Sequence, residues 1–213
     1  MTRTHRLRLP LTEKTVRQLH VDDHVLLDGE IVITAGLPTH QRILDHLEAG
    51  KELPIDLAGA AFLHLGSYSR DTEDGFDVLY MNPTTSTRFN PFMPTLIRKL
   101  GLRAVGGKGG LDAESARAMQ EVGCVYLSFL GGGAPLHSAA IKEIQSVAWN
   151  DLVSHYRLVK LRVEELGPLV VAIDAHGKSK FDMLSEEARR RLPELMAELD
   201  EGRARFERGG GRR

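Results

Sequence analysis

The hydrophobic and polar positions of this chain fall into short runs whose spacing changes from strand-like to helix-like and back. Between Asp23 and Ala35 two apolar runs, Val25-Leu26-Leu27 and Ile31-Val32-Ile33, flank Asp28-Gly29. Asp-Gly readily adopts the positive φ angles of a tight hairpin turn, so two antiparallel strands are predicted here. Next, Thr39 to Ala49 sets Ile43, Leu44 and Leu47 at helical spacing, with Pro38 near the start and Gly50 just past the end, which predicts a helix. Ala60 to Leu65 and Phe76 to Met81 read as strands, joined by a surface loop over the polar stretch Ser67 to Gly75.

Beyond Asn82-Pro83 helix and strand signals alternate. They predict a helix over Phe92 to Leu100, a strand at Arg103 to Val105, a helix over Ala113 to Glu121 and a strand at Val125 to Leu130. Gly131-Gly132-Gly133 breaks the chain before a short helical pattern reaching Ile141. Strands are predicted at Glu143 to Trp149, Tyr156 to Glu164 and Leu169 to Ile173. Ser185 can cap a last helix whose apolar face is Leu192, Leu195, Met196 and Leu199, with Pro193 beginning, bending or breaking it. The expected organisation is one α/β domain over residues 1–181 with mixed sheets and packed helices, an appended helix over 182–202, and a disordered tail over 203–213.

Composition narrows the function classes. At 213 residues with 42% hydrophobic and 27% charged residues, the chain can bury one substantial core. A formal charge of -1 supplies no basic field, so neither nucleic acid nor an anionic membrane is an expected partner. Apolar runs such as Leu169 to Ile173 fall far short of the roughly 20 residues that cross a bilayer. The opening Met1 to Pro10 has arginines at 3, 6 and 8 and no apolar secretory core, so a cytoplasmic location is expected. Cys124 is the only cysteine, whereas an iron-sulfur cluster needs about three or four thiolates, so any cluster belongs to a partner. Cys124 itself reads as a buried, inert thiol, and His137, His155 and His176 lack metal-ligand spacing, so no metal site is predicted.

Two segments carry candidate chemistry. In Asn82-Pro83-Thr84-Thr85-Ser86-Thr87-Arg88-Phe89-Asn90-Pro91, hydroxyl groups cluster between a strand and a helix with an arginine beside them. Exposed N–H groups, hydroxyl donors and a forked guanidinium together suit a carboxylate or phosphate, with Arg88 as the natural anchor. Plain helix capping by Thr84 to Thr87 is the structural alternative. In Val105-Gly106-Gly107-Lys108-Gly109-Gly110, four glycines surround one lysine and allow close backbone approach to an anion. The alternative is a solvated lysine in a glycine turn. No serine or threonine follows Lys108, so this is not a nucleotide-binding Walker loop.

Together with Thr34-Ala35 and His40-x-Arg42, these segments resemble the carboxy-terminal part of class I fumarases and the small (beta) subunit of two-chain tartrate dehydratases, from about Val21 to Phe181. The family's Gly-Pro-Thr-Thr-Ser-x-Arg-Met stands here as Asn82 to Phe89, and its Gly-Lys-Gly as Gly107-Lys108-Gly109. Weaker agreements are Gly131-Gly132-Gly133-Ala134 with Leu136, Ala148 to Leu152, and Asp174-Ala175-His176-Gly177. The resemblance implies a swivelling β/β/α domain in a hetero-oligomer of α2β2 type, with a cysteine-bearing large subunit that holds a 4Fe-4S cluster. It implies reversible loss of water from a 2-hydroxy dicarboxylate: a base removes the C3 proton while a cluster iron polarises the departing hydroxyl. Thr84, Thr85, Ser86, Arg88 and Lys108 would bind the substrate, with Thr84 and Lys108 catalytic and Thr84 assisting proton transfer. His40, Arg42, Gly107, Gly131 and Gly132 are secondary candidates, although a histidine early in a helix, as His40 is, is more often a local structural partner.

The pattern departs from the family at two places. The family's Thr-Ala-Arg-Asp-x-x-His-x-Arg is Thr34-Ala35-Gly36-Leu37-Pro38-Thr39-His40-Gln41-Arg42 here, so one arginine and one aspartate are missing. The family's Asp-Leu-Gly-Met-Glu is Asp151-Leu152-Val153-Ser154-His155. Losing a charge-assisted bond costs on the order of 1.5 to 3 kcal/mol. Arg42 or Arg70, or the large subunit, would have to supply that charge, or the substrate differs there. Rival readings are a non-catalytic carboxylate-binding or regulatory module, and a cofactor-free enzyme using Lys108 or His40 as acid or base.

Overall fold

The structure, a computed structural model, describes residues 3–73 and 75–209. It comprises two units, one through Ser179 and one from Lys180. The elements in chain order are β1 (Thr4–Arg8), α1 (Glu13–Val16), β2 (His24–Ile33), α2 (Leu37–Glu48), β3 (Ala61–Leu63), β4 (Leu65–Thr72) and β5 (Gly75–Pro83). A 3-10 turn (Ser86–Phe89) leads to α3 (Met93–Leu100), β6 (Ala104–Gly107), α4 (Ala113–Val122), β7 (Val125–Ser128), α5 (Ala134–Ala139) and β8 (Ile141–Ala148). A second 3-10 turn (Ser154–Tyr156), β9 (Leu158–Ile173) and α6 (Lys180–Gly209) complete the chain.

The main sheet has the order β1-β2-β3-β6-β7-β9-β8, and β9 also pairs with β2. That extra pairing closes β2, β3, β6, β7 and β9 into a barrel-like ring, leaving β1 and β8 outside it. Pairing is parallel for β1–β2, β2–β3, β3–β6 and β6–β7 and antiparallel where β9 meets β2, β7 and β8. Val25, Leu27, Ile31, Ile33, Val159 and Leu161 are fully buried in the core inside this ring. Each such aliphatic side chain contributes roughly 1.5–3 kcal/mol. The fold is thus the mixed α/β arrangement with packed helices and a C-terminal helix that the sequence predicts.

Asp28-Gly29 is not a hairpin turn. β2 runs straight through it, because both neighbours claim the dipeptide. The Asp28 carboxylate accepts from Arg6 Nε (2.7 Å) on β1 and from the Glu165 N–H (2.8 Å) on β9. Gly29 sits at φ +121 with Leu9 so close that a Cβ would lie 3.0 Å from Leu9 Cβ. The two strands predicted at Tyr156–Glu164 and Leu169–Ile173 are likewise one strand, β9. It carries the extra residues of two register shifts against β2, at Glu165 (φ +54) and Gly167 (φ +150). Local turn chemistry has been overridden by tertiary pairing in both strands.

Two further expectations change, and one element is added. The Ser67–Gly75 stretch is no loop: β4 and β5 pair over it as a two-stranded antiparallel hairpin, Leu65↔Pro83 to Thr72↔Gly75. The arginine-bearing opening segment, to which the sequence reading assigned no element, forms β1. The last helix begins at Lys180 rather than Ser185, keeps Pro193 in its interior, and continues through Arg203 to Gly209 where a disordered tail was expected. The rest of that expected tail, residues 210–213, lies outside the described residues. Taken by itself, α6 exposes Leu192, Leu195, Met196, Leu199 and Phe206.

Candidate active-site cleft

Two chain segments meet at one edge of the ring. The parallel strands β3 and β6 end side by side, and beyond their ends the backbone pairing continues: Lys108 N–H donates to Thr84 O (3.0 Å), Ser86 N–H to Lys108 O (2.8 Å), and Thr84 N–H to His64 O (2.9 Å). Thr85 and Lys108 thereby form a parallel bridge. α3 packs behind the hydroxyl segment through buried Met93, Leu96 and Ile97, spaced as one helical face, and stops at Gly101 in the left-handed conformation. α4 begins at Asp112, whose carboxylate accepts from Ser115 N–H (2.9 Å).

Beneath this junction lies a buried hydrogen-bond chain. Gly110 N–H donates to the Tyr126 hydroxyl (3.3 Å), and that hydroxyl donates to Ser86 Oγ (2.8 Å). Ser86 Oγ stands 2.8 Å from His64 Nδ1, and His64 Nε2 faces Met93 Sδ at 3.4 Å. Burial pushes Tyr126 up to about 12, so it keeps its proton and donates. Burial, reinforced by the neighbouring His40, holds His64 well below the ordinary imidazole value, so its Nδ1 accepts from Ser86. Gly107 fits only because it lacks a side chain: a Cβ there would stand 2.3 Å from Ser86 Oγ and 3.1 Å from Thr84 O.

A cleft of about 280 Å³ opens above the junction. Thr84 and Lys108 line it, with Asn82, Tyr68, Tyr80 and His155. The hairpin register Gly66↔Asn82 and Tyr68↔Tyr80 puts these four positions on one face. Among the described residues the Thr84 and Thr85 hydroxyls and the Lys108 ammonium have no partner within the chain. The Lys108 stem passes Gly131, where a Cβ would be 3.9 Å from its Cδ. Thr85 starts the 3-10 turn without a side-chain capping bond, so helix capping does not account for these hydroxyls.

The structure thus brings Thr84, Thr85, Gly107, Lys108 and Gly131 together, and treats the other candidates differently. Ser86 is fully buried and its hydroxyl is spent on Tyr126 and His64. Arg88 is exposed on the 3-10 turn and does not line the cleft. Gly132 is exposed, with nothing within 4 Å of a Cβ. His40 is fully buried and stacked on Phe89 at 4.1 Å, with Nδ1 2.7 Å from Gly36 O. Burial, only partly offset by that bond, lowers it to about 4, so it is a neutral structural partner. Arg42 makes a bidentate pair with Asp151 (3.0 and 2.8 Å) that holds the Asp151 carboxyl below the usual range, and it lies over Trp149. Arg70 pairs with Asp77 at 2.7 Å. Both arginines are engaged elsewhere, and neither replaces the missing charge at Gly36.

Sequence reasoning assigned no site role to His64, Tyr126, the two hairpin tyrosines or His155. The first two carried no local signal, since their role depends on partners 22 and 40 residues away. Cys124 is fully buried and burial raises its thiol pKa. No three His, Cys, Asp or Glu side chains gather as a metal site among the described residues, and no helix there is long and apolar enough to cross a membrane.

Residues 2–184 match the family described as Fumarase C-terminus. The chain is 33% identical over 187 residues to a Methanocaldococcus jannaschii protein named "Putative L(+)-tartrate dehydratase subunit beta", covering 87% of this chain and 95% of that one. It is 32% identical over 173 residues to the L(+)-tartrate dehydratase subunit beta of Shigella sonnei, covering 81% and 84%. Against a Geobacillus stearothermophilus protein named "Putative fumarate hydratase class I" it is 32% identical over 190 residues, 89% of this chain but 36% of that relative, whose length it spans by about a third. The match spans the strand-end junction, the hydroxyl segment and Lys108 together, and the chain belongs to the fumarase C-terminal family of hydro-lyases.

Proposed function

We propose that this chain is the small subunit of a heteromeric iron-sulfur hydro-lyase that reversibly dehydrates a 2-hydroxy dicarboxylic acid. The observation that carries the reading is the pairing of Thr84 with Lys108 in one cleft, locked by backbone bonds, with hydroxyl and ammonium free of partners among the described residues. An ammonium and a hydroxyl held together at a cleft floor hold one carboxylate and the adjacent hydroxyl of such a substrate. In this reading Lys108 Nζ binds the carboxylate, and Thr84 Oγ1 orients the reacting end and assists removal of the C3 proton. Arg88, exposed on its turn, reaches the substrate across the subunit interface.

A 4Fe-4S cluster does not fit this chain, whose single thiol is buried and protonated. A cysteine-bearing large subunit holds it, consistent with the "subunit beta" in the relatives' names.

The test is anaerobic affinity purification of the chain from its native cells, with assay of iron, sulfide and hydroxy-acid dehydration. A co-purifying cysteine-rich subunit with dehydratase activity is expected. In that complex Lys108→Ala should lower kcat/KM by about a hundredfold and Arg88→Ala by about tenfold, the scale of lost charge-assisted bonds, with the subunit still folded. Wild-type activity in both variants would defeat the site assignment. Recovery of the chain alone and inactive would instead favour a non-catalytic carboxylate-binding module.

A further inference from the structure

The cleft wall facing Gly66 is formed by a histidine whose backbone is fixed on both sides. Ala35 N–H donates to His155 O (3.0 Å), Thr34 Oγ1 to Tyr156 O (3.0 Å), Thr39 Oγ1 also to Tyr156 O, and Ser154 Oγ to Ser67 O (3.2 Å). Two glycines make room for this turn. A Cβ on Gly66 would lie 3.3 Å from His155 Cβ, and one on Gly36 would lie 2.8 Å from Tyr156 Cβ and 3.0 Å from Tyr156 Cα. The turn therefore occupies the space that a side chain at position 36 would need. Its imidazole is exposed, lines the same cleft as Lys108, is braced edge-on against Tyr156 at 4.4 Å, and has no hydrogen-bond partner within the chain among the described residues.

Lys108 is the one Lys or Arg lining this cleft among the described residues and Arg88 lies outside the lining, so the substrate end remote from Lys108 meets no cation on the cleft wall and needs a donor there. Tyr68 and Tyr80 stack on each other at 5.8 Å and are about half exposed, whereas the His155 backbone is clamped. From this geometry, and resting on the hydro-lyase reading above, we infer that His155 is the specificity-determining contact for the end of the substrate remote from Lys108. It recognises that end by a hydrogen bond rather than by a forked charge pair. The subunit therefore accepts a 2-hydroxy acid whose remote group is a carboxylate or a carboxamide of the same shape, where an arginine would strongly prefer the carboxylate.

The experiment is steady-state kinetics of the assembled enzyme on a four-carbon 2-hydroxy dicarboxylate and on its remote-end monoamide, for wild type, His155→Ala and His155→Gln. His155 is at the surface, so neither variant disturbs the core. The amide should turn over with kcat/KM within about tenfold of the diacid. His155→Ala should raise KM about tenfold for both with kcat within about twofold, and His155→Gln, which keeps a donor, should recover most of the loss. An active enzyme whose KM is unmoved by His155→Ala, or that rejects the amide by about a thousandfold or more, would overturn this inference alone. No dehydration of any hydroxy acid by the wild-type complex would overturn the hydro-lyase reading and this inference with it.

Discussion

The floor of the cleft and its outer wall are built to different standards. At the floor, Thr84 and Lys108 are tied to each other, to β3 through His64 and to the buried line Tyr126–Ser86–His64–Met93, so both backbone and side chains beneath them are fixed several times over. The wall is a two-stranded hairpin outside the main sheet, a structure that is marginal by itself. It is held by the Ser154–Tyr156 turn and by Met81 N–H donating to Ser138 Oγ (3.0 Å). On the proposed reading the reacting end is over-determined, whereas the recognition end rests on a hairpin anchored by buried Leu65 and Met81 and on a few replaceable side-chain bonds. On that reading specificity can change without disturbing the chemistry.

The largest expected effect breaks the floor from below. His40 and His64 are both neutral and buried, with His40 lowered to about 4 from an unfolded value near 6.5. Between those values the unfolded chain binds a proton that the folded chain does not. Stability is therefore fully present above about pH 6.5 and is lost as the pH falls toward 4, by about 3 kcal/mol from His40 alone. His64 adds to the loss in the same direction. Urea unfolding at pH 7, 5.5 and 4.5 reads it directly. His40→Phe, which keeps the stacking on Phe89 but cannot titrate, should flatten the dependence; an unchanged slope would remove His40 as its source.

Next in size is Gly107→Ala. The new methyl would meet Ser86 Oγ at 2.3 Å, and behind it Thr84 O and His64 Cβ at 3.1 Å, of which the backbone oxygen cannot swing away. The variant should lose about 2–3 kcal/mol of stability and, by prying Thr84 from Lys108, most of its turnover. Thermal melts and complex activity measured together would separate the two: full activity with lowered stability would show that the floor tolerates distortion.

The contrast between floor and wall also explains what could be read ahead of the structure. The hydroxyl segment and the glycine-flanked lysine were legible because both are short, compositionally unusual and sit at element ends, where backbone groups are exposed. α2 was legible from its periodicity and end residues, and α3 and α4 from periodicity alone. Asp28-Gly29 misled because Arg6, Leu9 and Glu165 reach it from strands that are remote or unrecognised in sequence. Ser86 looked like a ligand donor beside Thr84 and Thr85, and only the fold turns its hydroxyl inward onto Tyr126. His155 was visible only as the residue standing where the family segment has a carboxylate. Its place follows from missing side chains at Gly36 and Gly66, and an empty position shows its use only once its neighbours are known.

The smallest effects compare two serines, one on each side of the cleft. Ser86→Ala strips one buried acceptor from the Tyr126 hydroxyl and the donor from His64 Nδ1, and should cost about 2 kcal/mol. Because Ser86 supports the floor, kcat should fall with stability although the hydroxyl touches no substrate. Ser154→Ala removes the bond to Ser67 O (3.2 Å) at a partly exposed position and should cost about 1 kcal/mol or less. Its signature is a raised KM with little change in kcat, since it loosens the turn that presents His155. If both serines shifted kcat and KM alike, floor and wall would be one coupled unit, and the division between a fixed reacting end and an adjustable recognition end would fail.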